Sequence, residues 1–502
     1  MLLLLQSRLI PTPYLANNWL PALAMLVAAL LTWALLALRE QFGVSRVLQA
    51  LAWGLVIGGL YNVLIATLQW FDAAKLLPWF ALGANAKMQG VVGNLGQRNW
   101  LTEYLLYGML AICWLLPQVS RNTQRLLWLA AVAFAWVIAM TGSRSPILIG
   151  AALVLWATWQ YRQHRSAFSR HVMMMIGLLA LATFGFWLQQ QLWGAGESAI
   201  TSINRGGMRR LIEWQKCIDL FLAHPWLGVG WGNYAWHSFQ LQQLPAYAKV
   251  VESAMFDHSH NAFFQLLAVT GLAGLACIAP LLWVGVRQIC RREQDNLIGA
   301  LLIVILIRAQ LEWSLWVPGF FFFAVILLAL CPQSAWGRRA WKPSFRLSIG
   351  LFALCMLLVS SLTVYQYTRL SRIFTGDKNL KGDSVMIDLV SYSQNIWLSA
   401  ITDRIIAARL SYDRNWLPMK LDLLTQVNLN TPHPVFLIRE AYFLALNGQT
   451  ALAHQRVQQV LVAYPRYRDQ FIIALLEDPS PEGKMILSML IDHARRYGPQ
   501  LK

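Results

Sequence analysis

Charged residues are scarce in this chain of 502 residues: they make up 13% of it, whereas soluble domains carry roughly 25%. The six cysteines are scattered and none forms a CxxC pair, so the sequence indicates neither a disulfide framework nor a thiolate metal site. No Asp-x-Asp or other carboxylate cluster stands out either. We therefore expect no metal and no cofactor.

Apolar residues, in contrast, are abundant. They make up 57% of the chain and recur in runs of about 20, the length at which a helix crosses a bilayer. This pattern predicts an all-α, polytopic membrane protein with about 10–11 transmembrane helices. The candidate spans are 17–38, 47–70, 99–116, 126–141, 146–161, 172–191, 261–286, 296–311, 313–331 and 346–367.

The net charge of +18 comes from arginines and lysines that lie between the apolar runs. Every odd-numbered connection between candidate spans is basic, which fits the positive-inside rule and places those connections in the cytoplasm. Binding to nucleic acid is not indicated, and contact with membrane lipids is. The N-terminal segment, the even connections and the C-terminal tail then lie outside, in the periplasm of a Gram-negative cell.

Two parts of the chain are predicted to lie outside the membrane on that outer side: a long loop and a C-terminal helical domain. Residues 1–367 form a membrane domain that includes a long periplasmic loop, 192–260, and a loop of this length is usually functional. Its glycine-rich stretch 228–234 has no preceding strand and no GK[ST], which favours a turn between two interfacial segments over a nucleotide site. Residues 368–502 form a periplasmic helical domain, and 432–465 is similar to one tetratricopeptide-type helix pair joined at Asn447-Gly448. The first residues, 1–8, are interpreted as the stub of a first helix.

A polar cluster, Asp257-His258-Ser259-His260-Asn261, stands at the mouth of the seventh span. Histidine takes and returns protons near neutral pH, and a polar cluster at a bilayer edge is costly unless it faces water or substrate. Two interpretations stay open for the cluster. It carries acid–base chemistry, or it only caps the helix that follows.

Six motifs follow one another along the chain: GNLGQRN at 93–99, SRS at 143–145, RLIEW at 210–214, GVGWGN at 228–233, HSHN at 258–261 and LEWSLW at 311–316. Their order resembles the O-antigen ligase and polymerase superfamily of bacterial membrane glycosyltransferases. More narrowly, it is similar to the protein O-oligosaccharyltransferases that glycosylate pilins and other periplasmic proteins.

The resemblance implies an inner-membrane enzyme, inverting and metal-independent, whose active site faces the periplasm. It would transfer an oligosaccharide from undecaprenyl pyrophosphate to a Ser or Thr hydroxyl of an acceptor protein such as pilin. The implied catalytic residues are His260 as the base, His258 as a second histidine, and Arg210 and Arg144 at the pyrophosphate. The implied substrate-binding residues are Gln97, Arg98, Asn99, Arg209, Asn261, Arg308 and Glu312.

Other interpretations stay open for several of these residues and for the function. Arg144 could be an interfacial anchor, Arg210 could pair with Glu213 or Glu252, and Glu312 could pair with Arg308 at helical spacing. The acceptor could instead be lipid A core sugar, as in an O-antigen ligase, or the growing chain, as in a polymerase. A transporter of the lipid-linked glycan is the alternative of another class.

Overall fold

The computed structural model describes residues 1–77, 79–83, 90–193, 199–248, 256–291, 296–331, 364–373 and 383–497, with six further positions between 350 and 362. Within these residues the chain is helical and contains no strand. The prediction of an all-α polytopic membrane protein is therefore confirmed. The tenth candidate span, 346–367, lies largely outside the described residues.

Among the described residues, six helices are long and apolar enough to cross a membrane. They are α2 (Ala16–Phe42), α3 (Val44–Trp70), α4 (Arg98–Leu115), α5 (Arg121–Met140), α7 (Ala167–Trp193) and α10 (Ala262–Ile289). Four other helices pack against them: α1 (Leu2–Leu9), α6 (Ser145–His164), α11 (Leu297–Leu311) and α12 (Pro318–Leu330).

The core of the bundle forms around α4. Its apolar window is 83% buried, compared with 11% for α2, because α3, α5, α7 and α11 pack around it. A helix that is apolar on every side is stable only where protein or lipid surrounds it completely. The central position of α4 and its neighbour α11 fixes the residues at their ends, which include Asn99 and Glu312.

The predicted ninth span, 313–331, begins too early. Residues Ser314–Trp316 form a 3-10 turn and α12 starts at Pro318. Proline fits the first helical turn but forces the residue before it toward extended backbone, and Val317 is extended (φ −88°, ψ 122°). Residues 312–317 therefore form a loop with a defined conformation at the end of the bundle.

The predicted basic connections meet at one end of the bundle. The Arg39 guanidinium at the end of α2 donates to the Cys331 carbonyl after α12, at 2.9 Å. Trp156 near the end of α6 donates to the Ile289 carbonyl at the end of α10 (2.9 Å), and Gln160 donates to the Arg291 carbonyl (2.7 Å). The connections that carry the polar motifs lie at the opposite ends of these helices.

Helix α10 is broken at Gly271, whose φ and ψ are 59° and −156°. A break inside a membrane leaves backbone groups that must find partners within the protein. The turn that follows α8 (Ala199–Ala223) supplies them, and the predicted turn at 228–234 is thereby confirmed. Leu272 donates to the Pro225 carbonyl (2.8 Å) and Val229 donates to the Ala268 carbonyl (2.9 Å).

We call the contact between the turn after α8 and the break in α10 the crossing. Helix α1 completes it through Gln6, which is fully buried. Its side-chain amide donates to the carbonyls of Leu227 and Val269, both at 2.7 Å, and its amide oxygen accepts from the Trp231 N–H at 3.0 Å. One side chain thus ties the outer loop to the broken helix. The crossing holds the start of α10 in place.

A helical unit follows from residue 383. Its helices are α13 (Asp383–Ser393), α14 (Ser399–Arg409), α15 (Leu417–Asn430), α16 (Pro434–Leu446), α17 (Thr450–Ala463), α18 (Arg468–Leu475) and α19 (Pro481–Tyr497). The predicted helix pair is α16 and α17, joined around Gly448 at φ 75°. The boundary after residue 367 stays a prediction.

This helical unit packs on the end of the bundle that carries the polar motifs. Phe239, on helix α9 (Tyr234–Gln242), stacks on Tyr464 with ring centroids 6.1 Å apart and planes 9° apart. The Tyr14 hydroxyl donates to Asp403 at 3.0 Å, and Asn17 donates to Asn430 at 2.8 Å. The unit is held by α9, by Tyr14 in the segment between α1 and α2, and by Asn17 in the first turn of α2.

Gly228→Ala tests the crossing. A Cβ at Gly228 would lie 2.5 Å from the Ala268 carbonyl oxygen, and its φ is +66°. Gly43→Ala is the matched control because Gly43 also has a positive φ (+80°) but has nothing within 4 Å of an added Cβ. Gly43 has φ 80° and ψ 151°, so we expect Gly43→Ala to cost about 1–3 kcal/mol of backbone strain. Gly228→Ala should cost clearly more, measured as the melting temperature in detergent. Equal losses would contradict the close approach.

Candidate active site

The carboxylate of Glu312 joins three distant parts of the chain. One oxygen accepts hydrogen bonds from the Asn99 amide at 2.8 Å and the Arg210 guanidinium at 3.0 Å. The other oxygen lies 3.4 Å from Nδ1 of His260. The Glu312 side chain is 4% exposed, while those of Arg210 and His260 are 36% and 27% exposed. A buried carboxylate therefore holds two half-buried side chains at the outer end of the bundle.

Local structure explains why these side chains meet. Asn261 caps α10, since its side-chain oxygen accepts the Phe264 N–H at 3.0 Å. Helix α11 ends at Leu311, and Glu312 is extended (φ −151°, ψ 172°), so its side chain leaves the helix direction. Asn99 lies in the first turn of α4 and Arg210 lies on α8. Helix ends therefore position Glu312, His260 and Asn99.

Glu312 is ionised at neutral pH. Burial raises the pKa of this carboxyl group, but the hydrogen bond from His260 and the charges of His260, Arg308 and Arg210 outweigh burial and hold the pKa below its usual value. An ionised carboxylate accepts hydrogen bonds and does not donate them. Nδ1 of His260 therefore carries a proton toward Glu312, which leaves Nε2 as the basic nitrogen.

The backbone at His260 is strained, with φ at +55°. Residues other than glycine seldom adopt this conformation, and such strain collects at functional sites. The strain lets the His260 N–H bond Nδ1 of His258 at 3.0 Å while the His260 ring turns toward Glu312. Trp214 adds support by donating to the Ser259 carbonyl at 3.1 Å.

His258 lies deeper than His260. It is 6% exposed, and its ring lies 5.2 Å from the Trp313 ring and 4.5 Å from the His260 ring, both edge to face. Burial, and then the charge of His260, lower the pKa of His258 to about 4. The second histidine is therefore neutral at physiological pH.

A chain of hydrogen bonds leads from Asn99 into the membrane. The Asn99 amide oxygen accepts from Ser143 at 2.9 Å, Ser143 lies 3.1 Å from Ser145, and Ser145 accepts from Arg308 at 3.0 Å. Arg308 also donates to Glu103 at 3.1 Å, with both side chains 1% exposed. The SRS motif is thus tied to α4 and α11 by its serines.

The structure gathers the other predicted residues at the same end of the bundle without placing them on Glu312. Arg144 is exposed between Ser143 and Ser145 at the start of α6, and Arg98 is exposed beside Asn99. Arg209 and Gln97 are half-buried. Their roles in binding stay predictions. Three arginines besides Arg210 are nonetheless near in sequence to residues of the network.

Two of the alternative pairings are wrong. Arg308 pairs with Glu103 and not with Glu312. The Glu312 N–H still bonds the Arg308 carbonyl at 2.8 Å, but Glu312 is extended, so its side chain leaves the helix direction. Arg210 pairs with Glu312 and not with Glu213, since Glu213 binds Lys216 at 2.7 Å and the Tyr234 hydroxyl at 2.6 Å.

The remaining alternatives have different outcomes. Glu252 lies outside the described residues, so a pairing of Arg210 with it is not tested. The capping interpretation of the polar cluster holds for Asn261, while neither histidine caps α10.

Glu103 is the residue that reasoning from sequence missed. It lies inside α4, where an ionisable side chain is costly and marks a functional or paired site, and that signal was available. Its oxygens accept from Arg308 and from the Tyr107 hydroxyl (2.6 Å). No group of three or more His, Cys, Asp or Glu side chains within the described ranges could hold a metal ion.

Two family models match the chain. Residues 129–279 match the model described as O-antigen ligase, and residues 297–475 match the model described as virulence factor membrane-bound polymerase, C-terminal. Together they cover the outer loop, the polar cluster and the Glu312 turn. The chain belongs to the O-antigen ligase superfamily. No curated protein matches it.

The buried Glu103–Arg308 pair of this superfamily member can be tested by a double-mutant cycle. We expect Arg308→Met and Glu103→Leu each to cost about 3–5 kcal/mol of stability, because each leaves an unpaired buried charge. The double variant should recover most of that loss, since both charges are gone. Thermal unfolding in detergent measures all three, and strictly additive losses would contradict the pairing.

The low pKa of His258 predicts a pH effect on stability. An unfolded histidine has a pKa near 6.5, so between pH ~6.5 and ~4 the unfolded chain binds the proton and the folded chain does not. Stability is then complete above this window and falls as the pH drops through it. We expect the melting temperature to fall further between pH 7.5 and pH 5 in the wild type than in His258→Gln. Parallel curves would argue against a neutral His258.

Proposed function

We propose that this chain transfers an oligosaccharide en bloc from undecaprenyl pyrophosphate to a Ser or Thr hydroxyl of a periplasmic protein such as pilin. The observation that carries the proposal is the Glu312 carboxylate, which holds a histidine and an arginine side by side. A base and a fixed cation are the two groups that this reaction needs.

The base is His260. Its Nδ1–H faces Glu312, so Nε2 is directed away from the carboxylate and accepts the proton of the acceptor hydroxyl. A carboxylate behind the imidazole also stabilises the imidazolium that forms, as in other histidine–carboxylate pairs. The partial exposure of His260 lets an acceptor reach the ring.

Arginine side chains would bind the leaving group, which is the pyrophosphate. When the bond between the anomeric carbon and the pyrophosphate oxygen breaks, negative charge grows on that oxygen, and a planar guanidinium binds it with two parallel hydrogen bonds. The contact with Glu312 uses one of the five N–H donors of Arg210. Arg144 would bind the second phosphate, and Arg209 and Arg98 are further candidates for it.

The reaction balances in one displacement. The acceptor oxygen bonds to the anomeric carbon, the carbon–oxygen bond to pyrophosphate breaks with its electrons on the phosphate oxygen, and the hydroxyl proton goes to Nε2 of His260. A single displacement inverts the anomeric centre. The sugar and the acceptor would be oriented by Gln97, Asn99, Asn261 and Glu312. Arg308 would hold the SRS motif through its hydrogen bond to Ser145.

A periplasmic active site in the inner membrane is the orientation that the charges favour. The basic connections lie at the end of the bundle opposite Glu312, and basic loops stay in the cytoplasm. The helical unit 383–497 packs over the outer end, next to the site. That placement suits the reception of an acceptor protein.

A polymerase is the second candidate, favoured by the match of residues 297–475 to a membrane-bound polymerase model. An O-antigen ligase acting on lipid A core sugar is supported in the same way by residues 129–279. Both use the same base and cation and differ in the acceptor. A transporter is disfavoured because the motif side chains collect at one end of the bundle, whereas transport sites lie near the bilayer midplane.

Reconstituted transfer tests the proposal. Purified protein in liposomes would receive an undecaprenyl-pyrophosphate oligosaccharide and a pilin, and intact mass would report the product. We expect a glycan-sized mass increase in the wild type and a loss of at least about 100-fold in His260→Ala and in Arg210→Ala, because each removes a group used in the transition state. Arg121→Ala, an exposed change at the opposite end, is the control.

Each outcome of the transfer experiment supports one function over the others. Extension of the lipid-linked glycan without pilin modification would assign a polymerase, and modification of lipid A core would assign a ligase. Flux of the lipid-linked glycan that persists in His260→Ala, with no transfer, would assign a transporter. Full transfer in both site variants would refute the assignment of base and cation.

A further inference from the structure

The two nitrogens of the His258 ring have different surroundings. Nδ1 accepts the backbone N–H of His260 at 3.0 Å, so Nδ1 carries no proton. A neutral imidazole then carries its proton on Nε2. Hydrogen bonding therefore fixes the tautomer of His258, and it is the opposite of the tautomer that Glu312 imposes on His260.

The Nε2 of His258 is buried and has no hydrogen-bond partner among the described residues. A buried donor without an acceptor is costly, and the residue is only 6% exposed. The edges and faces of Trp313 (5.2 Å) and Trp316 (6.1 Å) hold the ring, and Trp231 stacks on Trp316 at 5.8 Å. These contacts resist rotation of the ring.

His258 lies beside a narrow crevice of the active site that is closed in this structure and too small to hold a water molecule. Trp313 and Trp316 form its aromatic walls, and Asn261 and Gln265 also border it. The Glu312 carboxylate opposes an anion there, and the Arg210 guanidinium lies on Glu312 rather than in the lining. Substrate must therefore part the crevice to reach Nε2, and aromatic walls with neutral donors favour an uncharged oxygen over a phosphate.

We propose that His258 is a fixed, neutral hydrogen-bond donor whose Nε2–H binds an uncharged oxygen, a hydroxyl or an amide carbonyl, of the sugar that is transferred. The inference rests on the proposed function and divides the work between the two histidines. His260 moves the proton, and His258 holds the sugar. His258 is a binding residue and takes no part in proton transfer.

The charged and titratable groups that face His258 are consistent with this role. His260 lowers the pKa of His258, whereas Asp257 and Glu312 raise it by less than burial lowers it. A ring that does not take up a proton during turnover keeps its Nε2–H as a donor at every working pH. The direction of the donor is therefore constant.

Two amide variants separate the roles of the ring nitrogens. The side-chain nitrogen of Gln reaches the position of Nε2, so His258→Gln keeps the donor and loses the acceptor of the His260 N–H. Asn reaches only the position of Nδ1, so His258→Asn keeps that acceptor and loses the donor. We expect KM for the lipid-linked donor to rise about tenfold in His258→Asn and less than about threefold in His258→Gln.

The acid limb of the pH profile should stay unchanged in both variants, because His258 does not titrate there. The reverse order, with Asn near wild type and Gln impaired, would reduce His258 to a support for the His260 backbone and overturn the proposal. A shifted acid limb would make His258 a proton-transfer group and overturn it as well.

A measurement without turnover distinguishes this inference from the proposed function. Histidine labelled with ¹⁵N reports the tautomer by its ring-nitrogen shifts, and the spectrum of His258→Gln assigns the His258 signals by difference. We expect an Nε2–H tautomer that does not titrate from pH 8 to pH 5. An Nδ1–H tautomer, or a titration within that range, would overturn the inference even if the chain catalyses another reaction.

Discussion

One carboxylate, that of Glu312, holds the candidate site together. It is nearly buried, it is ionised, and its two oxygens meet Asn99, Arg210 and His260. These partners come from α4, α8 and the cap of α10, so removal of the negative charge would separate three elements at once. It would also leave the Arg210 guanidinium without the carboxylate that it contacts.

The part of the bundle inside the membrane makes the hydrogen-bond network around Glu312 rigid. Asn99 connects through two serines to Arg308 and Glu103, an ion pair that is 1% exposed on both sides. An ion pair within apolar helices cannot exchange its partners for water, so its geometry is strongly determined. The outer site is therefore anchored to the packed centre of the bundle, where α4 and α11 meet. Arg98 and Arg144, by contrast, are exposed.

A second constraint acts on the other side of the site. Helix α10 begins with the capped histidine cluster and is broken at Gly271, where the turn after α8 and the Gln6 side chain complete its hydrogen bonds. The same outer region carries α9, on which the helical unit 383–497 packs through Phe239. The position of His260 is thus coupled to the outer loop and the outer helices. Binding of an acceptor on those helices would reach the base through short, well-packed connections.

The sequence by itself determined the class of the molecule, and it predicts which connections share one end of the bundle. Run length predicts membrane helices, the alternation of basic connections separates the two ends, and the spacing around Asn447-Gly448 predicts the helix pair. Only the tertiary structure decided which charges pair. Helical spacing suggested Arg308 with Glu312, but α11 ends one residue too early, so Arg308 turns to Glu103 and Glu312 turns to Arg210. Pairing depends on where helix ends bring distant residues together, and local spacing does not contain that information.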